Sequence, residues 1–303
     1  MSSLWGGSKL LPAPTFLEVS RSRRRSCSIF FALFRSPPST GAANFRPIAS
    51  ACSGWSGTSG GVIQTLSSSQ REQVALYVRA LLEWNQRMNL TAVTDEREVM
   101  TRHVEDSLAI IPPLRRYYLS HSCGGGGGRV DSDFGRLNVV DVGSGAGLPG
   151  LILAIACPNW KITLLESMLK RCLFLEHAVD LTGLSNVQVV RDRAENAGQN
   201  LDFREAFDVA VARAVAEMRT LAEYCLPLVR VGGLFVAAKG HDPQEEVESA
   251  KNAVRLLGAS VIDLCSVESQ GPHGRRTAVI CHKDRATPAK YPRQPGVPAK
   301  TPL

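Results

Sequence analysis

The chain has 303 residues, 44% of them hydrophobic and 21% charged, with a formal net charge of +7. That composition is globular, allows one large domain or two ordinary ones, and contains no apolar run near the roughly 20 residues needed to span a bilayer. The charge sits at the ends: residues 1–60 and 271–303 each hold seven Lys/Arg against one acid, which leaves the middle net acidic, so the basic C-terminal end rather than the overall pI is what would attract phosphates.

Residues 1–60 are rich in Ser and Arg, nearly free of acid, and have only the short apolar run "IFFALF" after Arg23–Arg25. This fits an organellar transit peptide, plastid before mitochondrion, cleaved near Ala49 to Ser53; a disordered basic tail that binds RNA is the alternative. The eight cysteines are scattered, with no CxxC or His/Cys cluster to mark a metal, and reduced thiols in a reducing compartment are expected.

Residues 61–119 read as an N-terminal helical lobe. Ser69 and Glu72 have capping-box spacing, and Val74, Tyr77, Val78, Leu81 and Leu82 follow at helical spacing. Tyr77 and Trp84 are expected in the core. A second helix should start near Asp95, with Glu98 three residues on, and end before Pro112-Pro113. His103 and Asp106, one helical turn apart, form the spacing of a hydrogen-bonded pair that docks this lobe, with a substrate-facing role as the alternative. Residues 120–133, with five consecutive glycines, read as a flexible connection.

From 134 to 284 strands and helices alternate. Strands are expected at 137–142, 161–166, 187–192, 207–213, 233–240, "SVIDLCSV" and "RRTAVICHK", the last two antiparallel because their connection is short. Helices are expected at "LPGLILAIAC", after Glu166, near Glu195, at "EMRTLAEYCLPLV" and across 244–257. Such alternation specifies an α/β fold, a mainly parallel sheet covered on both faces. "VVDVGSGAGLPG" places Gly143, Gly145 and Gly147 directly after the first strand, where glycines let the backbone turn sharply and approach a ligand. Dinucleotide sites favour G-x-G-x-x-G. The G-x-G-x-G spacing here, with Glu166 ending the second strand to accept ribose hydroxyls, favours S-adenosylmethionine while leaving NAD open.

The stretches "LLEWNQRMNLTAV", "TRHVEDSL", "VVDVGSGAGLPGL", "TLLESMLKRCLFL", "DRAE", "VARAVAEM", Lys239-Gly240 and "KYPRQPGVPAKTPL" together resemble the RsmG (GidB) family of small-subunit (16S-type) ribosomal RNA guanine-N7 methyltransferases. The first sixty residues and the glycine insert depart from the bacterial pattern and suggest an organelle-targeted, chloroplast-stromal member. The resemblance implies a class I methyltransferase, Rossmann-like with seven strands and the last antiparallel, and a ribosomal RNA or pre-ribosomal particle as partner. The glycine loop itself places the cofactor against Gly143, Gly145 and Gly147, and the resemblance implies contacts at Gly143, Leu148, Glu166, Ala194, Glu195 and Arg213. A backbone amide and a carboxylate at Ala194 and Glu195 would read the adenine edge; Arg213 would pair the cofactor carboxylate or approach guanine O6 and RNA phosphate.

Guanine N7 carries a free lone pair and no proton, so the chemistry asks for alignment rather than a general base, and no catalytic base is assigned. RNA contacts are expected from Lys239 and from the tail, 285–303, through Lys290, Arg293 and Lys300, with interleaved prolines keeping that tail extended; a disordered solubilising tail is the alternative. Two other functions stay open: an NAD(P)-linked oxidoreductase on the same sheet, and a nonenzymatic RNA-binding assembly factor that retains the pocket.

Overall fold

The computed structural model describes residues 62–122, 134–240, 242–271 and 274–303. The transit-peptide segment and residues 123–133 of the glycine-rich connection lie outside them; residues 120–122, expected to be flexible, instead close a helix.

Helix α1, Ser68–Asn85, starts one capping box earlier than expected: Ser67 Oγ accepts the Gln70 N–H at 3.2 Å and Gln70 Oε1 accepts the Ser67 N–H at 2.9 Å. Gln70 succeeds where Glu72 would not, because its amide also donates Nε2 to the Ile155 carbonyl at 2.7 Å and ties the helix start to the sheet layer. Asp95 caps α2, Glu96–Val99, accepting the Glu98 N–H at 3.0 Å. The helix runs on through a π-helical stretch, Met100–Glu105, into α3, Asp106–Leu108. The expected break before the prolines occurs, but the prolines then open a further helix, α4, Ile111–Ser122, where a missing N–H costs nothing in the first turn.

Strands β1 (Asn138–Val142), β2 (Lys161–Glu166), β3 (Val187–Arg191), β4 (Phe207–Arg213), β5 (Val229–Lys239), β6 (Ala259–Gly271) and β7 (Gly274–Lys283) form one sheet in the order β3-β2-β1-β4-β5-β7-β6. The β1–β2, β1–β4, β2–β3 and β4–β5 ladders are parallel, while β7 is antiparallel to both β5 and β6. The expected α/β sheet with an antiparallel last strand is therefore present. Its central strands are near-continuous apolar runs because both faces are covered.

One face packs against α1 to α4, α5 (Gly150–Ala156) and α6 (Leu169–Thr182) in a single core that includes Tyr77, Leu81, Leu108, Leu151, Phe174 and Val209. The N-terminal helices thus share their core with the sheet. The other face packs against α8 (Met218–Cys225) and α9 (Gln244–Leu256), with Phe207, Phe235 and Tyr291 in its core. The short α7, Ala194–Ala197, follows β3.

The C-terminal tail is not an extended strap. Tyr291 and Pro298 are buried, and α10, Val297–Lys300, carries Pro298 in its first turn, where the missing N–H has no intrahelical acceptor to lose. Ahead of it Lys283, fully buried, donates Nζ to the Leu226 carbonyl and to Thr287 Oγ1, each at 2.5 Å.

Candidate functional site

The strand order reverses between β1 and β4, and the loops that follow these two strands flank a crevice at the carboxyl edge of the sheet, where open α/β sheets bind ligands. Two clefts, of about 430 and 570 Å³ with their open mouths, meet there at Gly143. Val142, Leu165, Ser167, Asp192, Arg193, Ala194, Glu195, Val215 and Tyr224 line the first, a slot of mixed apolar and polar groups. Thr91, His103, Gly145, Leu148, Arg171 and Arg213 line the second.

The glycine loop is built by its own chain as much as for a ligand. Gly143, Gly145 and Gly147 all have positive φ, of 71°, 57° and 84°. A side chain at Gly143 would put Cβ 2.8 Å from Val215 Cγ2, and one at Gly147 would collide with Leu151, whereas Gly145 has room for one and is constrained only by its φ. Gly143 and Gly145 border the clefts; Gly147 lines neither and packs inward. The loop is pinned from below. Gly145 N–H donates to Glu166 Oε2 at 2.9 Å, Tyr77 Oη donates to the Ala146 carbonyl at 2.7 Å, and Gly150 N–H donates to Asp141 Oδ2 at 2.9 Å. Burial lifts the Asp141 carboxyl to about 7.

Glu166, buried at the end of β2, also accepts the Met168 N–H at 2.8 Å. Oε2 also faces the Arg171 guanidinium at 3.7 Å, while Oε1 keeps a second lone pair that a ribose hydroxyl could use. Arg213 ends β4 at the second cleft, and its Nη1 reaches the Arg102 carbonyl at only 3.5 Å, which leaves most of a five-donor guanidinium for a ligand carboxylate or phosphate. A slot beside Gly143, a carboxylate buried behind the glycine loop and a guanidinium in the second cleft together match a nucleoside bearing an amino-acid arm.

His103 does not pair with Asp106. Its Nε2 meets Thr91 Oγ1 at 2.7 Å and its Nδ1 lies 3.0 Å from the Arg102 carbonyl, while Asp106 forms an ion pair with Arg276 of β7. The carbonyl can only accept, so the proton sits on Nδ1 and Nε2 accepts from the threonine hydroxyl. Burial, aided by the nearby Arg213 charge, lowers the imidazole to about 4 and keeps it neutral.

Three further residues expected at the site have partners within the protein. The Glu195 carboxylate is engaged within the protein: Oε1 accepts Arg193 Nη2 and the Gly296 N–H, both at 2.9 Å, and Oε2 accepts Arg193 Nε at 3.3 Å. Burial alone would raise its pKa, but Arg193 and the Gly296 amide outweigh that and hold it low. Lys239 donates Nζ to the Ala216 carbonyl at 2.8 Å and to Glu246 Oε1 at 2.6 Å, bracing the loop after β4 rather than facing RNA. Arg293 forks onto the fully buried Glu223, with Nη2 to Oε2 at 2.6 Å and Nε to Oε1 at 2.9 Å. Lys290 and Lys300 are exposed.

Thr91, Ser167, Arg171, Asp192, Val215 and Tyr224 join the site without having been singled out from the sequence. Asp192 directly follows β3 as Glu166 ends β2, so the strand-end rule that found the one would have found the other. Val215 and Tyr224 give no comparable signal, because only the return of the chain over the loop brings them there.

A family model described as rRNA small subunit methyltransferase G matches residues 70–274. Among curated relatives, the chain is 43% identical over 238 residues to a "Ribosomal RNA small subunit methyltransferase G" of Lactobacillus johnsonii, covering 78% of this chain and 93% of that protein. It is 41% identical over 239 residues to the protein of the same name from Oceanobacillus iheyensis, covering 78% and 93%. Among solved structures, a Methanococcus jannaschii fibrillarin pre-rRNA processing protein aligns with a TM-score of 0.41 at 15% identity, over 50% of this chain and 68% of that one.

Proposed function

Because the chain belongs to the rRNA small subunit methyltransferase G family, we propose that it transfers a methyl group from S-adenosylmethionine to N7 of a guanine in small-subunit ribosomal RNA. The observation that carries this reading is the pair of clefts meeting at Gly143, with Glu166 buried behind the glycine loop, where it holds the Gly145 N–H, and Arg213 in the second cleft. The family match selects the methyl-donor reading of the glycine loop over the dinucleotide one.

Bound there, the sulfonium donor supplies an electrophilic methyl group, and guanine N7 already has the lone pair to take it, so no proton need leave first. The protein's part is then positional. Gly143 and Gly145 bring bare backbone to the junction of the clefts, Glu166 takes sugar hydroxyls, Val142, Leu165 and Tyr224 supply an apolar slot for a flat base, and Arg213 supplies positive charge beside the loop. Lys239 and Glu246 hold the Ala214–Glu217 loop over Gly143 by gripping the Ala216 carbonyl and the Met218 N–H. His103, neutral and engaged at both nitrogens, stands as a wall rather than as a proton carrier.

Residues 1–60 supply the support for a chloroplast location: many Arg and Ser, one acid and no long apolar core. Exposed Lys290 and Lys300 are the tail groups proposed to meet RNA phosphates. The test is methylation of unmodified small-subunit ribosomal RNA by residues 61–303 with labelled donor, followed by chain cleavage specific for 7-methylguanosine. One strong cleavage site is expected; label on another atom, or none, defeats the reading. Import of the full chain into isolated chloroplasts, with shortening near Ala49 to Ser53, tests the location.

A further inference from the structure

We infer that residues 287–296 are a latch that holds the nucleoside side of the cleft in binding shape, with Arg293 and Gly296 as positioning residues for the methyl donor. This rests on the methyl-donor reading above. Ala194 and Glu195 line that cleft from a helix of four residues, too short to be stable by itself. What holds it comes from the far end of the chain.

Gly296 N–H donates to the Glu195 carboxylate at 2.9 Å. The Gln199 side-chain amide donates to the Ala289 and Pro292 carbonyls at 3.2 and 2.8 Å. Arg204 bridges the Gly198 carbonyl, at 2.7 Å, to those of Tyr291 and Thr287, both at 2.8 Å. Gly198 itself touches Pro292, and a Cβ there would lie 2.7 Å from Pro292 Cγ. The opposite wall is gripped too: Glu223, fully buried next to Tyr224, accepts the Arg293 N–H at 2.8 Å as well as its guanidinium. The latch therefore clasps both walls of the nucleoside slot, whereas among the described residues those that line the second cleft receive no hydrogen bond from residues 285–303. A device so one-sided should act on the nucleoside half of the donor and not on RNA.

The test titrates the full chain, wild type and variants, with S-adenosylmethionine, adenosine and ribosomal RNA in turn. Arg293→Ala is expected to weaken S-adenosylmethionine and adenosine in equal proportion, by tenfold or more, and to raise the donor KM. RNA affinity and kcat at saturating donor should stay within twofold, and Arg293→Lys, which keeps one ion-paired bond but not the fork, should recover part of the loss. Because Arg293→Ala strands a buried carboxylate and can unfold the chain, the double variant Arg293→Ala with Glu223→Gln removes charge and partner together and should show the same split. Unchanged donor and adenosine affinity in the double variant overturns the latch, as does a loss confined to RNA, which would make the tail an RNA contact. Failure of wild type to bind S-adenosylmethionine at all would instead strike the functional reading beneath it.

Discussion

Gly143 carries two constraints at once: a φ of 71° and Val215 where a side chain would go. Gly143→Ala combines left-handed strain of about 1–3 kcal/mol with a shove against the loop after β4. The expected result, by calorimetric titration, is S-adenosylmethionine affinity at least about tenfold weaker in a protein that still melts cooperatively. Gly145, with open space beside it, should tolerate Ala better. His103 permits a signed pH prediction. Its folded value of about 4 lies below the ordinary 6.5, so between these the unfolded state binds more protons. The stability it contributes is complete above 6.5 and is lost as pH falls toward 4. Urea midpoints across that interval should fall less steeply in His103→Gln than in wild type, and the variant should keep a measurable methylation rate at neutral pH. At this scale the sequence shows the residues whose roles are local, Gly143 by its loop and Glu166 by its strand end. It does not show that Arg293 belongs to Glu223 or Glu195 to Gly296, since each pair is separated by 70 or 101 positions and a charged residue in a strip of prolines looks the same paired or free.

Helix α1 is legible as an element and ambiguous at its edge. The apolar spacing of Val74, Tyr77, Val78 and Leu81 belongs to the buried stripe, whereas "SSSQREQ" offers two Ser-to-Gln/Glu pairs at capping distance, and only the contact with Ile155 decides between them. Helix α4 is hidden in the sequence because Pro112-Pro113 signals an end and a beginning with equal force. The element that matters most for the cleft is nonetheless α1, through Tyr77. Tyr77→Phe removes the donor of the buried Ala146 carbonyl and is expected to cost about 1–3 kcal/mol. With about 2–4 °C per kcal/mol for a domain of this size, thermal unfolding should show a clear downward step. Donor affinity should drop with it, because the loop loses its brace from the other layer.

At the scale of the whole molecule, the strand order follows from alternation and one short connection, but the layer partners do not: the N-terminal helices share a core with one sheet face, and the tail is folded onto the other. The positive charge available to RNA is correspondingly smaller than composition suggests, since Arg293, Lys239 and Arg276 are paired within the protein. Lys290 and Lys300 remain exposed. Their joint replacement by Ala should weaken RNA binding uniformly across sequences and lower the slope of log K against log salt by about one for each phosphate no longer neutralised, a difference that filter binding at several salt concentrations reads directly.

Strand β7 enters between β5 and β6 although it is the last to be made. During vectorial synthesis the emerging chain must therefore hold a gap open beside β5 until residues 274–283 leave the exit tunnel, and the segment that clasps Glu195 and Glu223 emerges later still. A nascent polypeptide cut short anywhere before that point would present a half-made sheet and an unclasped slot, so substrate competence arrives only once residues 287–296 have emerged rather than growing with length.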